Sequence, residues 1–199
     1  MVSAADSLAK ALSRLPGLGR RSASRAALAL LREPERLADP LALALRSARE
    51  RVRCCSLCGN FTDKDENPCE LCTSALRDSS LLCVVEEPSD IAAIEASGAF
   101  KGRYHALMGK LSPVRRMGPG DLRIDALRSR VAAGGFTEVL LALSTDMEGD
   151  ATASYIAEVL GRFPGVEVTR LAFGLPADSG VAYSDPLTLK RAISARREV

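Results

Sequence analysis

Cys55 and Cys58 form one C-x2-C pair and Cys69 and Cys72 another, inside the stretch RVRCCSLCGNFTDKDENPCELCTS at residues 51–74. Ten residues separate the pairs, enough for two tight knuckles to turn back on a single tetrahedral ion, and four thiolates favour zinc. Gly59 after the first pair and Pro68 before the second supply the turn chemistry. A four-cysteine shell leaves no position for water. The ion it predicts is therefore structural, holding together a segment too small to own a core. Redox-active or incidental thiol pairs are the competing reading. Cys54 reads as a spare neighbour, and Cys83, in SSLLCVVEE, as a buried apolar thiol.

The rest of the chain must position that segment. At 199 residues and 47% hydrophobic composition it has the length and apolar content of an ordinary folded chain. No apolar run approaches the ~18 residues of a membrane span, and MVSAADSLAK has no charged region followed by an apolar core. The expectation is a cytoplasmic protein without a membrane partner, whose thiols stay reduced. A net charge of +2 hides an asymmetry: residues 1–53 carry eleven Lys or Arg against five Asp or Glu, residues 54–98 two against nine. That pattern points to a nucleic-acid surface and a separate carboxylate site.

In LAKALSRLPGLGRRSASRAALALL the spacing predicts two helices joined at Leu15-Pro16-Gly17-Leu18-Gly19, with Leu8, Leu12 and Leu15 on one face and Ala26, Leu28, Leu30 and Leu31 following. The second helix, from Arg20 or Arg21, presents open backbone N–H groups beside Arg21 and Arg25, a cradle for phosphate. In LPGLGRRSASR this pattern resembles helix-hairpin-helix modules, which bind DNA backbone without reading bases; a plain helical hairpin with solvated arginines is the alternative. From residue 80 strands and helices alternate: strands at 81–85, 103–108, 138–143 and 166–173, with helices at 88–97, 120–135 and 150–162 between them. Leu122, Leu127 and Val131 face inward. This is α/β, a mainly parallel sheet with flanking helices.

Chemistry in such a sheet sits beyond the carboxyl ends of its strands. Glu86 and Glu87 follow one strand; Asp146, Glu148 and Asp150 follow another. Carboxylates from neighbouring strands could hold Mg2+ for phosphoryl chemistry, or form a solvated or partner-docking acidic loop. The sole histidine, His105, falls in a strand and reads as a core residue. No nucleotide-binding P-loop and no Ser/His/Asp constellation is visible.

The order LPGLGRRSASR, paired C-x2-C, CVVEEPSDIAAIEASGAFKGRYHAL, LSP, GPGDLRI, EVLLALSTDMEGDAT and DPLTLKRAISARR resembles the RecR family of bacterial recombination mediators across almost the whole chain. The resemblance implies a helix-hairpin-helix module (1–53), a four-cysteine zinc finger (54–76), a Toprim domain (77–174) and a C-terminal tail (175–199) that completes a ring-shaped tetramer. It implies a non-catalytic clamp on single- and double-stranded DNA. Such a clamp acts with RecO, and in some settings RecF, to help load RecA onto DNA covered by single-strand-binding protein. By position, Arg21 and Arg25 would face DNA, the four cysteines would ligate Zn2+, and Glu86, Asp146 and Glu148 would belong to the surface that receives RecO. The paired aspartates of catalytic Toprim enzymes fall on Ser144 and Asp146, so one acid is lost; a metal-dependent Toprim nuclease or primase relative is the alternative, and a pure interaction scaffold a third reading. Lys101, Arg103, Lys110, Arg115 and Arg116 could extend the DNA-facing surface. Ala182 and Pro186 stand where relatives carry acids.

Overall fold

Pro16 has no N–H to give the carbonyl of Leu12, and helix α1 (Ala4–Leu12) ends there, three residues before the predicted turn. Ser3 and Asp6 open it with a reciprocal capping box. The computed structural model describes residues 3–172, 174–175 and 180–195 and divides into two units, Met1–Arg53 and Cys54–Val199.

In the first unit α2 (Arg20–Arg32) packs on α1, and a π-helical turn at Pro34–Ala38 leads into α3 (Asp39–Arg51). The buried residues of α2 are Ala23 and Ala27, one helical turn apart on a single face. This corrects the sequence expectation: Leu28 and Leu31 are half exposed, as is Leu15. Leu28 lies about 100° around the helix from Ala27, so small side chains, not leucines, occupy the close approach.

The second unit begins with two short strands, β1 (Val52–Cys54, which opens at the end of the first unit) and β2 (Phe61–Asp63), and a single turn, α4 (Glu70–Thr73). There follow β3 (Leu81–Val85), α5 (Pro88–Ser97), β4 (Arg103–Ala106), α6 (Ile124–Ala132), β5 (Glu138–Ala142), α7 (Met147–Leu160), β6 (Glu167–Arg170) and α8 (Pro186–Ser194). The four later strands form one wholly parallel sheet in the order β4-β3-β5-β6, with Val84 in register with His105 on one side and Leu141 on the other. Successive side chains of β3 enter different cores: Leu82 and Val84 pack with Leu127, Val131, Ile156 and Leu160 of α6 and α7, while Cys83 and Val85 pack with Ile91 of α5 and Tyr104. Both faces are covered, which is why LLCVV reads as a continuous apolar run. Each such fully buried aliphatic contributes about 2 kcal/mol.

Pro88 opens α5, and Gly98, at φ 65°, closes it in the left-handed conformation, as the sequence predicts. α7 starts three residues earlier than expected because Asp146 caps it, its carboxylate accepting the Gly149 N–H at 2.7 Å. Pro186 stands at the first position of α8, and Asp185 caps that helix through the N–H groups of Leu187 and Thr188. No helix among the described residues is long and apolar enough to cross a membrane.

Candidate functional site

The knuckle geometry begins at Gly59, whose φ of +82° lets its N–H return to the Cys55 carbonyl at 2.9 Å. A side chain there would press on the Ala106 carbonyl and the Arg123 guanidinium, each 3.3 Å from its Cβ. The turn brings Cys55, Cys58, Cys69 and Cys72 together, all buried, with their sulfurs within 4.8 Å of one another. Backbone N–H groups of Asn60 and Cys69 point at the sulfurs of Cys58 and Cys55, at 3.4 and 3.3 Å, as they do when a sulfur carries negative charge. The crowded sulfurs cannot all ionise on their own. Cys69 is held down to about 2, first by the hydrogen bond from Cys58, while Cys58 is pushed above its usual range, first by that same bond. A cation among the four removes the conflict. The set fits a metal ion, and nothing in it leaves room for a substrate.

The cysteine cluster is fastened to the sheet. The Ala106 N–H at the end of β4 donates to the Cys58 carbonyl at 2.7 Å, and Arg123 reaches from the other side to the carbonyls of Ser56 and Leu57 at 3.3 and 3.1 Å. His105, wholly buried in β4, pairs through Nε2 with the Arg123 carbonyl at 2.9 Å, and burial holds it neutral, down to about 4. It is a core residue, as expected. Cys83 is buried too, its thiol pushed up to about 12 by desolvation, and Cys54 is exposed.

Beyond the carboxyl ends of β3 and β5 the acids gather, but each already has a partner. Glu86, with a side chain 16% exposed, accepts the Ser144 N–H at 2.7 Å. Lys110 donates to Asp146 and, at 3.0 Å, to the Ser144 hydroxyl, and its Nζ stands 3.9 Å from Glu86. Asp146 is consequently held down to about 2, first by Lys110 and then by the Gly149 N–H. Glu148 accepts from the Ser112 hydroxyl and faces Arg115 at 3.9 Å; Asp150 takes Arg170 and Arg191, both at 2.8 Å. Gly149 permits this arrangement, since a Cβ there would fall 2.1 Å from the Ser144 carbonyl oxygen. Two sequence expectations change. Glu148 sits in the first turn of a helix, ahead of the start expected at residue 150, and Lys110 turns inward to the acids, whereas the sequence alone suggests a basic surface residue. Nothing in the sequence pairs Lys110 with Asp146, thirty-six residues on; Arg115 and Arg116 remain exposed.

In the first unit Arg20 and Arg21 open α2 behind Gly19, which gives no side-chain cap, and no acid occupies the first turn. The N–H groups and positive dipole end are therefore offered outward. Arg20, Arg21, Ser24 and Arg25 line an open cleft of about 590 Å³. A neighbouring cleft of about 420 Å³ is lined by Lys10, Ser13 and Arg14 of the α1 end together with Arg20 and Ser24. Sequence reading singled out Arg21 and Arg25; Arg20 stands beside them on the same helix, and Lys10 and Arg14 come near only because the hairpin folds back, the turn between the helices being the available signal.

Residues 80–172 match the Toprim domain family and residues 5–49 the helix-hairpin-helix family of RecR. A protein named Recombination protein RecR from Syntrophotalea carbinolica is 50% identical over 187 residues, 94% of this chain and 92% of the relative. Its namesakes from Moorella thermoacetica and Sphingopyxis alaskensis are 46% and 47% identical over 194 residues, each covering 98% of this chain and 96% of the relative.

Proposed function

This chain belongs to the RecR family of recombination proteins, with a helix-hairpin-helix, a four-cysteine cluster and a Toprim-like parallel sheet, and we propose that it works in recombinational DNA repair as a non-catalytic clamp and adaptor. The carrying observation is the uncapped, acid-free start of α2 with Arg20, Arg21 and Arg25 beside it, next to a second basic cleft. Backbone N–H groups and guanidinium forks recognise phosphate oxygens on any sequence, and displaced counterions drive the association.

The modules at 1–53, 54–76, 77–174 and 175–199 divide the work. The first grips single- or double-stranded DNA. The second takes one structural Zn2+ on Cys55, Cys58, Cys69 and Cys72, four buried thiolates that satisfy zinc's tetrahedral preference and leave no catalytic position. The third carries the acidic rim that receives RecO, through Asp146 and Glu148, with Glu86 supporting from within through its bond to the Ser144 N–H. RecF is a further partner, and the outcome is RecA loading onto single-stranded DNA in the bacterial cytoplasm. The tail, in which Leu187 of α8 and Tyr183 ahead of that helix are open, completes a ring-shaped tetramer. No enzymatic step is assigned: Ser144 stands where the resemblance to catalytic Toprim enzymes expects a carboxylate, and Asp146 and Asp150 are already paired.

Fluorescence anisotropy on labelled gapped DNA over a salt series tests the clamp. The Arg21→Ala, Arg25→Ala double variant should bind about ten- to a hundredfold more weakly, with a log-log salt slope shallower by roughly 2. Unchanged affinity and slope would remove the hairpin from the DNA interface.

A further inference from the structure

We propose that Lys110 is a resident cation that keeps the carboxylate seat of the Toprim sheet closed to divalent metal, so that its removal opens a latent metal site. The inference deepens the non-catalytic reading and rests on it. The seat is made where the carboxyl ends of two adjacent parallel strands come side by side, with Glu86 following β3 and Ser144 and Asp146 following β5. Oxygen donors from neighbouring strand ends are the arrangement that holds hard divalent cations. Here the centre is taken by an ammonium: Nζ of Lys110 donates to Asp146 and to the Ser144 hydroxyl at 3.0 Å, and lies 3.9 Å from Glu86.

This lysine is built in. Its side chain is only 12% exposed. The chain on both sides of it is fastened: the Gly109 N–H donates to the Glu86 carbonyl at 3.0 Å, the Leu111 N–H to the Thr152 hydroxyl at 3.0 Å, and the Ser112 hydroxyl to Glu148. Met108 and Gly109, both at positive φ, make the bend that turns Lys110 inward. The acids outside the seat have cations of their own, Glu148 facing Arg115 and Asp150 holding Arg170 and Arg191, so among the described residues Lys110 is the cation that serves the pair Glu86 and Asp146. A divalent ion competes with the fixed ammonium for these oxygens, because the two like charges would stand within a few ångströms of each other, beside a Glu86 side chain that is only 16% exposed although Asp146 is 56% exposed. Without the ammonium, two carboxylates and a hydroxyl remain facing one another, held by the N–H groups of Ser144 and Gly149 but with no cation between them.

Mn2+ supplies the probe, because the electron paramagnetic resonance signal of the free ion falls on binding. Zinc-loaded full-length protein should hold Mn2+ no better than background, whereas Lys110→Met should gain one Mn2+ per chain, at least about tenfold tighter than wild type. Adding Glu86→Gln to Lys110→Met should abolish the gain, and Lys110→Arg, which keeps a positive charge, should refuse the ion. Should Lys110→Met fail to fold, Lys110→Gln takes its place. Equal Mn2+ binding by wild type and either neutral variant overturns the proposal, whether both bind or neither does, and so does a gain by Lys110→Arg. Failure of the underlying reading is recorded separately, as Mg2+-dependent cleavage or synthesis on DNA by the wild-type protein.

Discussion

The four cysteines and the carboxylates Glu86, Asp146, Glu148 and Asp150 are two sets of anionic donors in the same unit, and the fold completes them in opposite ways. Around the acids it supplies cations from its own chain, Lys110, Arg115, Arg170 and Arg191. Around the sulfurs it supplies backbone N–H groups and burial, which stabilise some thiolate charge but leave the four in conflict. One cluster is therefore neutralised by folding, and the other keeps a conflict that a metal ion from solution could remove. Proximity of acidic donors is a poor guide to metal binding; what decides is whether an internal cation already occupies the centre. The basic hairpin makes the complementary point, since its arginines line open clefts with no acid in the first turn of α2, so their charge is directed to something outside the chain.

Removing a sulfur from the incomplete cluster should have the largest effect. Cys58→Ser should lower metal content from one ion per chain to near none and destabilise the protein by about 4 kcal/mol or more, a fall in Tm of roughly 10 °C. Elemental analysis beside a thermal melt reads both, and a metal-free protein that melts with the wild type would break the comparison by making the thiols self-sufficient. A smaller effect is expected at Gly149→Ala. Its methyl group would meet the Ser144 carbonyl oxygen at 2.1 Å, so the start of α7 must shift, at a cost of about 3 kcal/mol. Metal content should stay at one per chain; its loss would show that the two clusters are not independent. Smallest is Asp146→Asn, which keeps a capping oxygen and discards the charge that Lys110 uses. The folded Asp146 is held down to about 2, below the roughly 3.9 of an unfolded chain, so its contribution is complete above the unfolded value and is lost as pH falls through the folded one. Wild type should melt roughly 2 °C above the variant at pH 7, and the gap should close between about pH 4 and 2. A gap that persists into acid would mean the carboxylate charge is not what is being felt.

Much of the fold was legible because local chemistry and global arrangement agree. Pro88 and Gly98 bracket α5, LLCVV and EVLLA are the continuous apolar runs of strands covered on both faces, and Leu127 and Val131 turn inward one helical turn apart, while Leu122 is buried in extended chain ahead of α6. The cysteine set was legible for the same reason: a metal knuckle is a local turn, and its ligand spacing is written along the chain. The hairpin leucines misled because periodicity ranks faces by hydrophobicity, while the approach of α1 and α2 is close enough to favour Ala23 and Ala27.

The amino-acid sequence by itself determined the helical hairpin with Arg21 and Arg25, the paired cysteines and the parallel α/β sheet, since each depends on residues within a turn or two of one another or on strictly periodic patterns. Only the tertiary structure decided which cation each acid meets. Lys110 meets Asp146 across thirty-six positions, and Arg191 meets Asp150 across forty-one. Spacing along a chain carries no information about which charge will neutralise which once strands are laid side by side.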